Sequence, residues 1–197
     1  MQKTATSTRN LLKGAVLSIS FFMSAAAVAA PWGKPGQNDI LEDGNIVEIA
    51  SAAGSFNTLL AAAQCDYFGN TLVDLLTGDD KVTLFAPTDA AFGGLNAGNI
   101  CTTFAGSVED ELDGDELVLL GILAYHVTDG RRFSNSLFNA NRPKMVEMLS
   151  TGMITTYYDG EVPTIIDGSD EEAVVVTPNI NASNGVLHVI NAVLMPE

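Results

Sequence analysis

VTPNINASNGVLHVINAVLMP, residues Val176–Pro196, reads as a hairpin that closes a domain. One apolar strand leads to Asn184-Gly185, a dipeptide that tolerates the positive φ angles of a tight type I′ turn. A second strand, Val186 to Ile190, carries apolar residues on both faces and is therefore expected inside the fold. His188 lies on this strand, on the same face as Val186 and Ile190.

Upstream of the hairpin the same period continues. Met153–Tyr158, Val162–Ile166 and Ala173–Val176 read as strands, with Asp159-Gly160 as a turn. Before Asp129-Gly130 the period is helical. Ile46, Ile49 and Ala50 fall at helical spacing from Asn45, followed by Phe56, Leu59, Leu60 and Ala63. Thr71–Leu76 is a third short helix with Gly78 as its stop. Val82 to Ala86 is a strand. Pro87-Thr88-Asp89 then starts another helix, which Thr88 caps and whose dipole Asp89 complements. The longest helix follows the acidic stretch SVEDELDGDE. Asp113 and Glu116 form a capping box there, and Leu119, Ile122, Leu123 and His126 lie along one stripe. Helices gathered in the first half and strands in the second define an α+β domain. No internal repeat is visible.

The N-terminus reads as an export signal. Lys3, Arg9 and Lys13 precede an apolar stretch, Gly14 to Val28, and Ala27-Val28-Ala29 supplies an A-x-A cleavage site. Residues 1–29 are the expected signal peptide and 30–38, rich in Pro and Gly, a flexible leader. The apolar stretch is short for a membrane span, and no cysteine follows the cleavage site to take a lipid anchor. A soluble product, secreted or periplasmic, is expected rather than an integral membrane protein. The full chain carries 24 acids against nine cations, a net charge of −15. All the acids and six of the cations lie beyond residue 29, so cleavage moves the net charge to −18. Nucleic acid and anionic membranes are poor partners for such a surface. Cys65 and Cys101 have no CxxC or histidine neighbour, and in an exported chain they read as a disulfide, the alternative being two buried thiols.

Enzyme constellations are scarce. There is no GxSxG, HExxH, phosphate loop or GxGxxG, and neither a metal nor another cofactor is expected. His126 and His188, the two histidines, fall on apolar faces and read as core residues. A nucleophile assisted by His126 would need an orienting acid that the local sequence does not supply. Glu109–Glu116 and Asp167–Glu172 lack the register of a calcium loop and read as solvated acidic surface. Asn181-Ala182-Ser183 is a glycosylation sequon beside the predicted turn.

Three stretches resemble the signatures of the fasciclin domain, in the family's order: TLFAPTDAAF (Thr83–Phe92), LLGILAYHV (Leu119–Val127) and the closing hairpin. Thr88, Asp89, His126, Asn184, Gly185 and His188 fall within these motifs. The resemblance covers residues 39–197 and implies a single-domain, secreted, bacterial-type member. It also implies a fold: N-terminal helices packed on a C-terminal wedge of two β-sheets. Functionally it implies a non-enzymatic module for adhesion or interaction, in cell-surface, matrix or biofilm contact. The alternative is a small-ligand or polysaccharide-binding protein of the periplasm or exterior. In animal members the Tyr-His region and the segment before the last signature are implicated in receptor binding. These correspond to Tyr125 and His126, and to Thr177, Pro178, Asn179, Ile180 and Asn181. Asn179 replaces the acid that receptor-binding relatives carry.

Four of the six cations beyond residue 29 lie in one window, Arg131, Arg132, Arg142 and Lys144, with no acid between Asp129 and Glu147. Phe133 and Phe138 are interleaved. With Tyr125 and Phe133, these cations form the expected partner-binding set. The bland alternative is that they pair with nearby carboxylates. The partner expected for the set is a protein or acidic polysaccharide, with self-association through an acidic face as a further form.

Overall fold

A computed structural model of the protein describes residues 44–65, 71–104, 115–139, 142–158 and 160–197. The expected signal peptide, the leader, residues 39–43, Asp113 and Asp159 lie outside the described residues.

Asn45 opens α1 (Ile46–Ala53) with a capping box. Its Oδ1 accepts from the Glu48 N–H at 3.0 Å, and Glu48 Oε2 accepts from the Asn45 N–H at 2.8 Å. Gly54 closes the helix at φ 66°, a left-handed geometry that costs glycine nothing. Helix α2 (Asn57–Ala63) receives no side-chain bond from its own N-cap, Phe56. Asp89 supplies the acceptors instead: Oδ1 takes the Thr58 N–H at 2.7 Å and Oδ2 takes Asn57 Nδ2 at 3.0 Å. This corrects the expectation for the Thr88-Asp89 motif. The segment Asp89–Phe92 is a single 3-10 turn, Thr88 makes no capping bond, and the Asp89 carboxylate serves a helix thirty residues earlier. Helix α3 (Thr71–Thr77) stops before Gly78, as its sequence requires. Helix α4 (Ile100–Phe104) is joined to the end of α2 by the Cys65–Cys101 disulfide, with Cα atoms 5.5 Å apart. Helix α5 (Asp115–Ala124) buries Leu119, Ile122 and Leu123 on the expected stripe.

The strands are β1 (Val82–Pro87), β2 (Val127–Asp129), β3 (Lys144–Glu147), β4 (Met153–Tyr158), β5 (Pro163–Ile166), β6 (Glu172–Ala182) and β7 (Gly185–Ile190). A short helix, α6 (Ser134–Leu137), lies between β2 and β3. Strand order is β2-β1-β7-β6-β5-β4-β3, with β1 and β7 parallel and every other neighbour antiparallel. β6 belongs to both halves of this sheet. Its first residues pair with β5, and Val175–Ala182 pair with β7 through two register shifts. Such irregularities bend a strand, and Asn179 takes φ 63° within the second. The edges then approach: Leu149 N–H reaches Val127 O at 2.8 Å, and Thr128 Oγ1 reaches Glu147 O at 2.7 Å. The result is the barrel-like wedge of an α+β fold.

Two apolar cores follow. Ile46, Phe56, Leu59, Leu72, Leu84, Leu119 and Leu187 fill the layer between helices and sheet. Phe85, Tyr125, Leu137, Ile154, Ile165, Ile190 and Leu194 fill the inside of the wedge. β1 and β7 stand between the two, so all positions of both strands are buried.

The hairpin turn is not the one its Asn-Gly dipeptide suggests. Gly185 already pairs with Ala182, so the turn residues are Ser183 and Asn184. Neither Asn184 nor Gly185 has a positive φ, which a type I′ turn requires of its central pair. Both residues are fixed by packing instead. A Cβ on Gly185 would stand 2.2 Å from Val82 O and 2.7 Å from Ile46 Cδ1. Asn184 is 3% exposed; its Oδ1 accepts from the Ile46 N–H at 2.9 Å and its Nδ2 donates to Leu76 O at 2.6 Å. One amide thus starts α1 and ends α3.

Gly185→Ala is expected to lower unfolding free energy by roughly 3 kcal/mol or more, because the obstructing atom is backbone. Denaturant unfolding at pH 7.5 checks this; a loss under about 1 kcal/mol would show that β1 and β7 separate easily.

Candidate functional site

Helix α5 delivers the Tyr-His pair to the wedge. Tyr125 is 1% exposed, and its hydroxyl donates to Met153 O at 2.6 Å. Gly152 leaves room for its ring, since a Cβ there would lie 2.5 Å from Tyr125 Cε2. Burial raises the Tyr125 pKa above its ordinary value, and the Asp167 charge adds to this. Tyr125 therefore leaves the expected partner-binding set, because a core residue cannot present its ring to a partner.

His126 is buried beside it. Its Nδ1–H donates to Ile122 O at 2.7 Å, and its Nε2 accepts from the Leu194 N–H at 2.9 Å. His188 uses the opposite tautomer, with Nε2–H on Arg132 O at 2.8 Å and Nδ1 facing the Asn179 N–H at 3.4 Å. Phe85 stacks on the His188 ring at 5.5 Å. Burial lowers both pKa values from 6.5 to about 4, against the opposing pull of their carbonyl bonds and, for His126, of Asp167. With both nitrogens occupied by backbone, neither ring is placed as a general base.

Asp167 corrects another expectation. The acidic run Asp167–Glu172 is exposed from Asp170 to Glu172, but Asp167 is buried. Its carboxylate accepts from Ser169 N–H, Ser169 Oγ, Glu171 N–H and Met195 N–H, at 2.8–3.0 Å. It ties the β5–β6 loop to the chain end and is not solvated surface.

The cations share one segment, and none makes an ion pair with a carboxylate among the described residues. Arg131 Nη2 bonds Asn181 Oδ1 and donates to Ala182 O at 3.0 Å. Arg132 Nε donates to Asp129 O at 2.9 Å, and Lys144 Nζ to Ser136 O at 2.7 Å. Arg142 is exposed. Phe133 within the segment and Met145 just after it are 38% and 65% exposed.

Sequence reasoning missed the amides that hold this segment down. Asn179 Nδ2 donates to Ser134 Oγ, and its Oδ1 accepts from the Ser134 N–H, both at 2.7 Å. It thereby caps α6, whose own N-cap residue is Phe133. An asparagine suits the left-handed φ within the second β6 irregularity, and its Nδ2 supplies the donor that Ser134 Oγ accepts. Asn181 is engaged by Arg131, and the sequon runs from the end of β6 into the turn at Ser183.

Comparison with known proteins agrees with this architecture. The fasciclin domain model matches residues 54–196. The chain is 30% identical over 151 residues to protein sll1483 of Synechocystis, covering 77% of this chain and 73% of that protein. It is 33% identical over 155 residues to the uncharacterized protein sll1735 of the same organism, covering 77% of this chain and 97% of that one. It also resembles a solved FAS1 domain pair from the insect cell adhesion molecule Fasciclin I, with TM-score 0.48 and 21% identity. That match covers 70% of this chain and 45% of the domain pair, so the chain spans less than half of it. The chain belongs to the fasciclin domain family, a family associated with adhesion and interaction modules. No described helix is long and apolar enough to cross a membrane.

Stability should depend on pH through the two histidines. Their folded pKa values, about 4, lie below the ordinary 6.5, so on acidification the unfolded chain takes up protons first. Unfolding free energy is expected to be level above pH 7 and to fall between pH 6.5 and about 4, each histidine removing on the order of 3 kcal/mol. Urea unfolding across this range checks it; a level profile down to pH 4.5 would contradict the buried neutral assignment.

Proposed function

We propose that the protein is an exported, non-enzymatic adhesion and interaction module that grips an anionic partner with the segment Arg131–Lys144. In this reading residues 1–29 are removed on export, 30–38 form a leader, and 39–197 form the domain. Family membership supports an interaction role. The Cys65–Cys101 disulfide suits the oxidising conditions of a secreted or periplasmic protein.

The observation that carries the proposal is the uncompensated charge of this segment. Arg131, Arg132 and Lys144 bond only to neutral acceptors, backbone carbonyls and the Asn181 amide, and no described carboxylate pairs with them or with Arg142. Neutral acceptors fix a guanidinium without cancelling its charge. Planar guanidiniums suit carboxylate and sulfate groups, and Phe133 and Met145 add apolar contact area at the margins. An acidic polysaccharide, an acidic protein, or the acidic face of a second copy all present that chemistry. Salt limits the repulsion from the rest of this acidic molecule to roughly 8–10 Å, so a local cluster can still hold a polyanion.

A small-ligand site has weaker support. The cavity between α1, α2, α3 and β1 is lined by Ile46, Leu59, Leu72, Leu76 and Leu84, with Gln64 its single polar side chain. Pockets that orient small ligands place several polar groups around an apolar lining.

Replacing Arg131, Arg132, Arg142 and Lys144 with serine is expected to weaken retention on a dextran sulfate column by about tenfold or more, about 1.4 kcal/mol. Arg142→Ser alone should account for part of that loss with no change in melting temperature. Parent binding should also weaken as salt rises. Undiminished retention with unchanged salt dependence would make these cations plain solvated surface.

A further inference from the structure

The chain between β2 and β3, which carries the cations, is tied down at several points, among them Arg132 N–H on Thr83 Oγ1 at 2.8 Å and Thr156 Oγ1 on Leu137 O at 2.7 Å, and one of the fastenings is a titratable ring. His188 sits within β7 at 0% exposure. Its Nε2–H holds the Arg132 carbonyl at 2.8 Å, and its Nδ1 receives the Asn179 N–H at 3.4 Å. Asn179 grips Ser134 through two bonds, and Phe138 packs edge-on to the imidazole at 6.3 Å. The cationic segment, the bent part of β6 and β7 therefore meet at His188, and the meeting needs a lone pair on Nδ1.

We propose that His188 is an acid-operated latch: its protonation releases the Arg132–Phe138 segment together with the bent part of β6, and so regulates the contact surface proposed above. A proton added at Nδ1 would point an N–H at the Asn179 N–H, donor against donor, with no acceptor in its place. The resulting cation would also lie buried without a counter-charge. The clamped segment brings two charged groups, Arg131 and Arg132, both positive. β1 brings the apolar Phe85, the residue after α6 brings the Phe138 ring, and β6 brings the neutral Asn179. His126 differs, because Asp167 acts on it and its backbone partners are Ile122 and, in the terminal segment, Leu194.

Burial accounts for the size of the effect. A pKa of about 4 in the closed form against 6.5 when released makes opening roughly thirty-fold more favourable at pH 5 than at pH 7.5. Opening of one segment ahead of the whole domain is ordinary behaviour for an irregular connection between strands.

Hydrogen exchange of the exported chain, without any partner, tests the latch at pH 7.5 and pH 5 after correction for intrinsic rates. Amides of Ser134–Phe138 and Asn179 are expected to open about thirty-fold more at pH 5, while β1 amides open far less. His188→Gln retains a donor and an acceptor but cannot titrate, so its strap should ignore pH; His126→Gln should leave the strap's response in place. If His188→Gln does not fold, NMR titration of the parent decides: strap amides must move with the His188 midpoint and not with that of His126. Unchanged strap exchange, equal loosening in His188→Gln, or a strap that follows His126 or the carboxylates would overturn the proposal. The link to binding rests on the contact-surface reading. The latch itself is read without a partner, so it stands or falls separately from polyanion retention.

Discussion

The Asn184 side chain is the constraint on which the rest of the fold depends. Its carbonyl oxygen satisfies the first amide of α1, and its amino group satisfies a carbonyl in the last turn of α3. Helix ends leave backbone groups unpaired, and burying them unpaired is expensive. One turn residue from the end of the chain thus settles two helix termini near its beginning. Beside it, Gly185 lets β7 lie against Val82 and Ile46 with no space for a methyl group. The order of the fold follows: β7 docks between two cores, β1 runs parallel to it, and the helices close over both.

Within that frame, buried polar side chains fasten segments that lack regular pairing of their own. His126 holds the chain end at Leu194, His188 holds the cationic strap, and Asp167 anchors the β5–β6 loop through four donors. Each uses side-chain atoms to satisfy backbone groups of irregular segments, as buried polar groups must. The strap buries Leu137 in the inner core, and one of its attachments passes through a titratable ring.

Much of this was legible in the sequence. The α+β order, α1 to α3, β1, β4, the buried character of β7 and the apolar setting of both histidines follow from period and composition. The two cysteines are joined as their context suggests. What escaped were features set by contacts distant in sequence. Asn184-Gly185 reads locally as a turn signal, yet its residues were selected by Ile46, Leu76 and Val82, which are a hundred residues away. Asp89 looks like the start of a helix and in fact caps an earlier one. Asp167 looks like part of an acidic surface and is buried, because donors from Ser169, Glu171 and Met195 converge on it. Strands β2 and β3 and helices α4 and α6 are three to five residues long, too short to show a period. Of the proposed surface, counting charge singles out the cations, whereas the burial of Tyr125 is not legible, because a signature residue need not be an exposed one. Asn179 could have been suspected from its tolerance of positive φ, but its partner Ser134 is visible only in three dimensions.

The most direct test of this account is the unfolding free energy of Asn184→Ala at pH 7.5, above the range in which the histidines titrate. Truncation removes two buried hydrogen bonds and strands the Ile46 N–H and the Leu76 carbonyl. A loss of roughly 3 kcal/mol or more, with an unchanged denaturant slope, is the expected result. A loss below about 1 kcal/mol would mean that the helices are held to the sheet by apolar packing alone, and that Asn184 only turns the hairpin.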